Sequence, residues 1–231
     1  MSIYITGTLV NAAAVLLGGT IGLLLKGKIP GTLAENIVRT IGLCVCIIGI
    51  KDAVGGNIML MVVSLALGTL TGELLRIDDG LNKLGHWIQA ALSRNGESSP
   101  FAEGFVAATV LFCVGAMSII GSIESGLGND RSMIYTKSIL DGITATAFAS
   151  YMGFGVLFSA AVILVYQGSI ELFATYLQNV VPDDLITQFS AVGGVMILGI
   201  GFNMVLNAKI KIANLLPGLL FAVGYYYLLL A

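Results

Sequence analysis

The sequence is short of almost everything that catalysis and nucleic-acid binding require. Charged residues are 10% of its 231 positions, against roughly 25% in soluble domains. There is one histidine, His86, and three cysteines, Cys44, Cys46 and Cys113. No cysteine has a partner at zinc-site spacing or a histidine to activate it, so they read as small core residues, with neither metal nor disulfide implied. HExxH, GxSxG and Walker sequences are missing too, and no enzyme is expected. Eleven Lys and Arg stand against thirteen Asp and Glu. Scattered as they are, they form no basic face for nucleic acid.

What fills the chain instead is hydrocarbon. With 57% hydrophobic residues and a mean hydropathy of +0.95, its first partner is a lipid bilayer. A helix needs about 17 to 25 apolar residues to cross one, and such runs lie at 3–25, 33–51, 55–76, 103–123, 133–149, 152–168, 185–206 and 209–230. The fifth is more polar than the rest. Long continuous runs, rather than short alternating ones, predict an all-α, polytopic transmembrane helical bundle of about eight segments. Residues 3–25, lacking a basic leader and a small-residue cleavage pattern, read as a retained span rather than a signal peptide.

The chain also repeats itself. GTLVNAAAVL from Gly7 aligns with GVLFSAAVIL from Gly155, so that Asn11 falls on Ser159. Leu33, Gly42, Ile48 and Gly49 then match Leu185, Gly194, Ile200 and Gly201, and Leu65, Gly68 and Leu70 match Leu215, Gly218 and Leu220. Residues 1–78 form the first repeat and 151–231 the second, separated by an interfacial stretch, 79–100, and a central linker, 101–150. The first repeat's opening span runs into Lys26 and Lys28, whereas its counterpart runs into Gly168 to Asp184, where Lys and Arg are missing. By the positive-inside rule the two copies point opposite ways, with Lys26, Lys28, Arg76, Lys83, Arg94, Lys209 and Lys211 inside and both termini outside. That count closes only if 133–149 crosses the membrane. Inverted repeats of this kind are a signature of secondary transporters.

Two stretches suit the membrane surface. Leu81, Leu84, Ile88 and Leu92 share a stripe beside Trp87 and a solvated His86, and Ser169 to Val181 is short and amphipathic. Gly18/Gly22 and Gly68/Gly72, each four apart, allow helices to approach closely.

Polar chemistry concentrates in the linker, where Glu124, Asp130, Arg131, Lys137 and Asp141 fall within one stretch. A charge at the bilayer centre costs roughly 2.5 to 3.5 kcal/mol on insertion scales. Lys137 and Asp141, four apart, share a helix face and either form a structural salt bridge or serve an ion site. In the second reading Asp141, with Ser138 and Thr144 a turn to either side, binds sodium or a proton and Lys137 modulates it. No other cofactor is expected. Glu124 and Asp130 sit in a Gly-rich turn, Gly121 to Gly128, read as either a re-entrant segment or a solvated loop, the loop being favoured. Asn11 and Ser159 lie mid-span at equivalent positions, where a pseudo-symmetric site takes one polar group from each half. Asn203, four before Asn207, is a further candidate for lining a pathway.

The strings SLALGTLTGELLRI, LFCVGAMSIIGSIESGLGND, KSILDGI, GFGVLFSAAVILVYQGSI, AVGGVMILGIGFNM and KIKIANLLP, in that order, resemble the bacterial membrane family known as domain of unknown function 554, the YqgA-like proteins. The likeness spans essentially the whole chain. It implies a multi-pass protein of the bacterial cytoplasmic (inner) membrane and carries no catalytic or substrate residues. Repeat and linker together lead to an expected secondary transporter of a small polar solute or ion. A channel, or a membrane protein that moves nothing, are the alternatives, and the Gly-lined faces suggest a homodimer.

Overall fold

The structure is a computed structural model and describes residues 5–28, 31–83, 101–128 and 131–229. Among these there is helix and no strand. The helices are α1 Thr6–Leu25, α2 Gly31–Ala53, α3 Ile58–Leu75, α4 Phe101–Cys113, α5 Ala116–Gly126, α6 Ser132–Met152, α7 Gly155–Leu172, α8 Ala174–Val180, α9 Asp183–Leu206 and α10 Pro217–Leu229. Residues 77–83 are helical as well. By length and apolar composition α1, α3, α7 and α9 can each cross a bilayer, and α4 with α5 makes a fifth if the bent pair is one span. Trp87, His86 and most of the expected surface helix at 79–100 lie outside the described residues, as does Asp130.

The chain divides into two compact units, 1–31 with 103–182 and 32–102 with 183–231. Neither coincides with a sequence repeat, because each takes helices from both copies. The first unit holds α1 and α4 to α8, and the second holds α2, α3, α9 and α10.

Within the first unit, α1 has its residue types arranged for lipid. Its buried face is Gly7, Thr8, Asn11, Ala12, Val15, Gly18, Gly19 and Gly22, recurring at helical period. Leu9, Leu16, Leu17, Ile21 and Leu24 point outward instead. Small and polar residues inside with large apolar ones outside are what a helix needs when the solvent is hydrocarbon. The expected close approach at Gly18 and Gly22 is present: a Cβ on either would collide with the α6 backbone, at the Gly142 and Thr146 carbonyl oxygens respectively.

The second unit is closed by glycine in the same manner. A Cβ on Gly42 of α2 would come within 3.3 Å of the Gly201 carbonyl oxygen of α9, and one on Gly201 within 2.9 Å of the Gly42 oxygen. Gly49 and Gly194 face each other likewise, at 2.6 and 2.7 Å. The two helices therefore run antiparallel. Gly68 of α3 abuts the Gly218 backbone of α10, and Gly72 abuts Asn214. Of the cysteines, Cys113 is buried and Cys46 half-buried, but Cys44 is exposed among the described residues, so the core reading fails for Cys44.

Several expected boundaries shift for local reasons. The run 103–123 is not one helix but α4 and α5, meeting at a 59° bend where Gly115 adopts an extended conformation. The turn expected at Gly121 to Gly128 is helical through Gly126. The sixth run continues past 168 to Leu172, so only α8 remains of the expected surface segment from Ser169. The last run does not begin at 209. Asn207 and Lys209 take positive φ values of 52° and 56°, a short 3-10 turn covers Ile212–Leu215, and Pro217 opens α10, suiting a first helical position with no N–H to satisfy.

Asn203 ties that turn down. Its Nδ2 donates to the Ile210 carbonyl and its Oδ1 accepts from the Ile210 N–H, both at 2.8 Å. Asn203→Ala should cost about 1 kcal/mol for the lost bonds, read as a lower unfolding midpoint in detergent; an unchanged midpoint would show the turn holds without it.

Candidate functional site

Four helices of the first unit turn a polar residue toward the same interior line. α6 brings Lys137 and Asp141, buried on one face because they are four residues apart, and their side chains form an ion pair. α1 brings Asn11, whose Nδ2 donates to Asp141 Oδ2 and to Gln167 Oε1, both at 3.0 Å. α7 brings Gln167, whose Nε2 donates to Ser118 Oγ at 2.8 Å. Ser118 opens α5 just past the bend. The Lys137 ammonium lies 6.0 Å from the centre of the Phe112 ring, at the end of α4, within reach of a cation–π attraction.

The result is a continuous seam, Lys137–Asp141–Asn11–Gln167–Ser118, in which Asn11, Gln167 and Ser118 have no solvent exposure. Away from water each bond polarises the next, so displacing one member is felt by the others. The carboxylate is neutralised by the ammonium and held further by the Asn11 amide. Asn11 Oδ1 has no hydrogen-bond partner, leaving one buried acceptor on the seam unused.

The other residues singled out from sequence fall into different places. Ser138 is buried, and its hydroxyl donates to the Ile134 carbonyl of its own helix at 2.7 Å. Thr144 donates to Leu140 in the same manner, at 2.8 Å. Neither hydroxyl is turned to Asp141. Ser159 is buried and bonds to Val156 within α7, so Asn11 finds its partner in Gln167, two turns further along, and not in its repeat equivalent. Glu124 is half-buried in α5. Asn203 belongs to the second unit, where it holds the 207–210 turn. Lys137, Asp141 and Asn11 are brought together; Ser138, Thr144, Ser159, Glu124 and Asn203 are not part of their network.

Gln167 and Ser118 were not legible as site residues, nor were Thr8, Ser122, Ser125 and Glu171, all buried. A signal existed. Ser118, Ser122 and Ser125 recur at spacings of four and three, and Gln167 and Glu171 are four apart, so each set lines one helix face. Ending the sixth run at 168 hid the second of these by placing Glu171 at the surface.

Residues 6–227 match the model of a family described as protein of unknown function (DUF554). The chain is 34% identical over 220 residues to the uncharacterized membrane protein YdfK of Bacillus subtilis strain 168, covering 93% of this chain and 92% of that one. It is 32% identical over 223 residues to the uncharacterized protein YqgA of Escherichia coli strain K12, covering 94% of each. No solved structure matches it.

Proposed function

The chain belongs to the DUF554 family, a membership that brings no activity with it, and from its geometry we propose that it is a secondary transporter of a small polar solute or ion, coupled to sodium or protons, in the cytoplasmic membrane. The observation that carries this reading is the buried seam around Lys137 and Asp141. A buried ion pair contributes little net stability, and ionisable groups within membrane segments mark substrate or ion pathways. The seam lies beside the α4/α5 bend, and discontinuous helices are where transporters of this class bind.

The repeat supports the same reading through its contacts. Gly42 corresponds to Gly194 and Gly49 to Gly201, yet Gly42 packs on Gly201 and Gly49 on Gly194. Each glycine therefore meets the equivalent of the other, the reciprocity that a two-fold relation produces. Gly68 meets Gly218, its own equivalent, which is where such an axis crosses the pair. Because α2 and α9 are antiparallel, the axis lies across them. Where α2 and α9 both cross the bilayer, such an axis lies in the membrane plane, the arrangement of an inverted repeat.

Purified protein in liposomes tests the proposal. Uptake from a panel of radiolabelled small polar metabolites and ions should be saturable for at least one solute and should depend on an imposed sodium or proton gradient. Asn11→Ala should reduce it about tenfold or more, in keeping with the loss of one or two buried hydrogen bonds. Non-saturating current without any gradient dependence would instead show a channel.

A further inference from the structure

A second set of buried polar groups lies beyond the seam, where α1 begins and α7 ends. Glu171 is 3% exposed. Its Oε2 accepts the Thr8 N–H at 3.2 Å, and its Oε1 has no hydrogen-bond partner among the described residues. Ser125 Oγ on α5 and Thr8 Oγ1 on α1 are likewise buried and unpartnered, as is Ser122 Oγ one turn earlier on α5. Glu171 Oε1 and Ser125 Oγ lie 2.6 and 2.7 Å from the point where a Cβ on Gly7 would stand, with Ile134 Cγ2 at 2.8 Å, so carboxylate and hydroxyl converge on the Gly7 backbone, which only a glycine lets come so close. Among the described residues no lysine or arginine pairs with Glu171.

We propose that Glu171, Ser125 and Thr8 bind a single sodium ion. Carboxylate and hydroxyl oxygens are hard ligands suited to a hard cation. One unpaired carboxylate calls for one positive charge, and no group of three or more His, Cys, Asp or Glu occurs among the described residues to hold a metal of higher charge. The hydroxyls also stand apart from the carboxylate instead of donating to it. The carboxylate Oε1 and both hydroxyl oxygens are therefore available as ligands. Asp141 is a poorer candidate, since Lys137 already neutralises it.

The site has a route to the seam. Gln167 sits one turn before Glu171 on α7, and Ser118 shares the α5 face with Ser122 and Ser125, so an ion that draws α1, α5 and α7 together also sets the Asn11–Gln167–Ser118 contacts. Coupling to transport rests on the reading given above; binding of the ion does not.

The test uses the full chain in detergent, with sodium chloride replacing choline chloride at constant ionic strength. Sodium should raise the melting temperature in a saturable way, since a ligand of the folded state alone stabilises it. The rise should vanish in Glu171→Gln, need about tenfold more sodium or beyond in Ser125→Ala, and persist in Gly224→Ala. If Glu171→Gln does not fold, Ser125→Ala and equilibrium dialysis of radioactive sodium against the unmodified protein decide. A melting temperature that follows pH but ignores sodium would overturn the site in favour of a proton on Glu171, and an undiminished sodium effect in Glu171→Gln would overturn it too. Sodium stabilisation without saturable flux driven by a sodium or proton gradient would uphold the site and sink the transport reading. Sodium-driven flux with binding unchanged in Glu171→Gln would do the reverse.

Discussion

Lys137→Met alone is expected to leave the protein about 3–5 kcal/mol less stable, while Lys137→Met combined with Asp141→Leu recovers most of that loss. Both side chains are buried, at 7% and 10% exposure, so removing the ammonium strands a carboxylate in an apolar unit with only the Asn11 amide to hold it. Breaking a buried pair from one side carries that cost, whereas replacing both partners by apolar groups of similar volume is often neutral or stabilising. At 1.4 kcal/mol per decade, the single variant loses about two to three and a half decades in its folding equilibrium. Thermal and denaturant unfolding in detergent measure both proteins. A double variant as unstable as the single one would mean that packing, not charge, sets the loss. Flux separates structure from use: a folded double variant should be inactive in liposomes, and one that transports normally would leave the ion pair a purely structural element.

Gly18→Ala should destabilise the first unit by about 1–3 kcal/mol, and Gly22→Ala similarly, while Gly224→Ala should be neutral or slightly stabilising. All three glycines are within helices. At Gly18 a single added methyl collides with the Gly142 carbonyl oxygen, and at Gly22 with that of Thr146. These are backbone atoms that cannot rotate away, so α1 and α6 must separate, at the usual cost of overpacking. Around Gly224 nothing lies within 4 Å of an added Cβ, and alanine there removes the helix penalty of glycine, about 0.5–1 kcal/mol. Separating α1 from α6 also pulls Asn11 from Asp141. Flux in Gly18→Ala should therefore fall further than the folded fraction does; equal losses would show that the α1/α6 spacing matters to stability alone.

Much of the fold could be read from the chain because lipid imposes a simple rule. Helices must satisfy their own backbone, and the lengths of α1, α3, α7 and α9 follow from that. The rule says less where glycine or a polar side chain intervenes. The bend at Gly115 was hidden inside an unbroken apolar run, and the late start of α10 depended on Asn203 reaching Ile210 across a turn. The site was legible where its members are close in sequence, as Lys137 and Asp141 are. It was not where they are distant: Asn11 and Gln167 differ by 156 positions, and nothing in either segment names the other.

Composition and hydropathy by themselves determined a helical membrane protein, and local spacing the charged pair on α6, since these depend on residue type and local period; the family likeness came from ordered sequence strings. Tertiary structure alone decided which helices meet. It put α1 against both α6 and α7, divided the two repeats between two units, and turned five scattered polar residues and a carboxylate beyond them toward shared interior positions. In hydrocarbon no hydrophobic force distinguishes one apolar face from another. Backbone contact at glycine and the pairing of buried polar atoms make that choice, and both exist only once the helices are side by side.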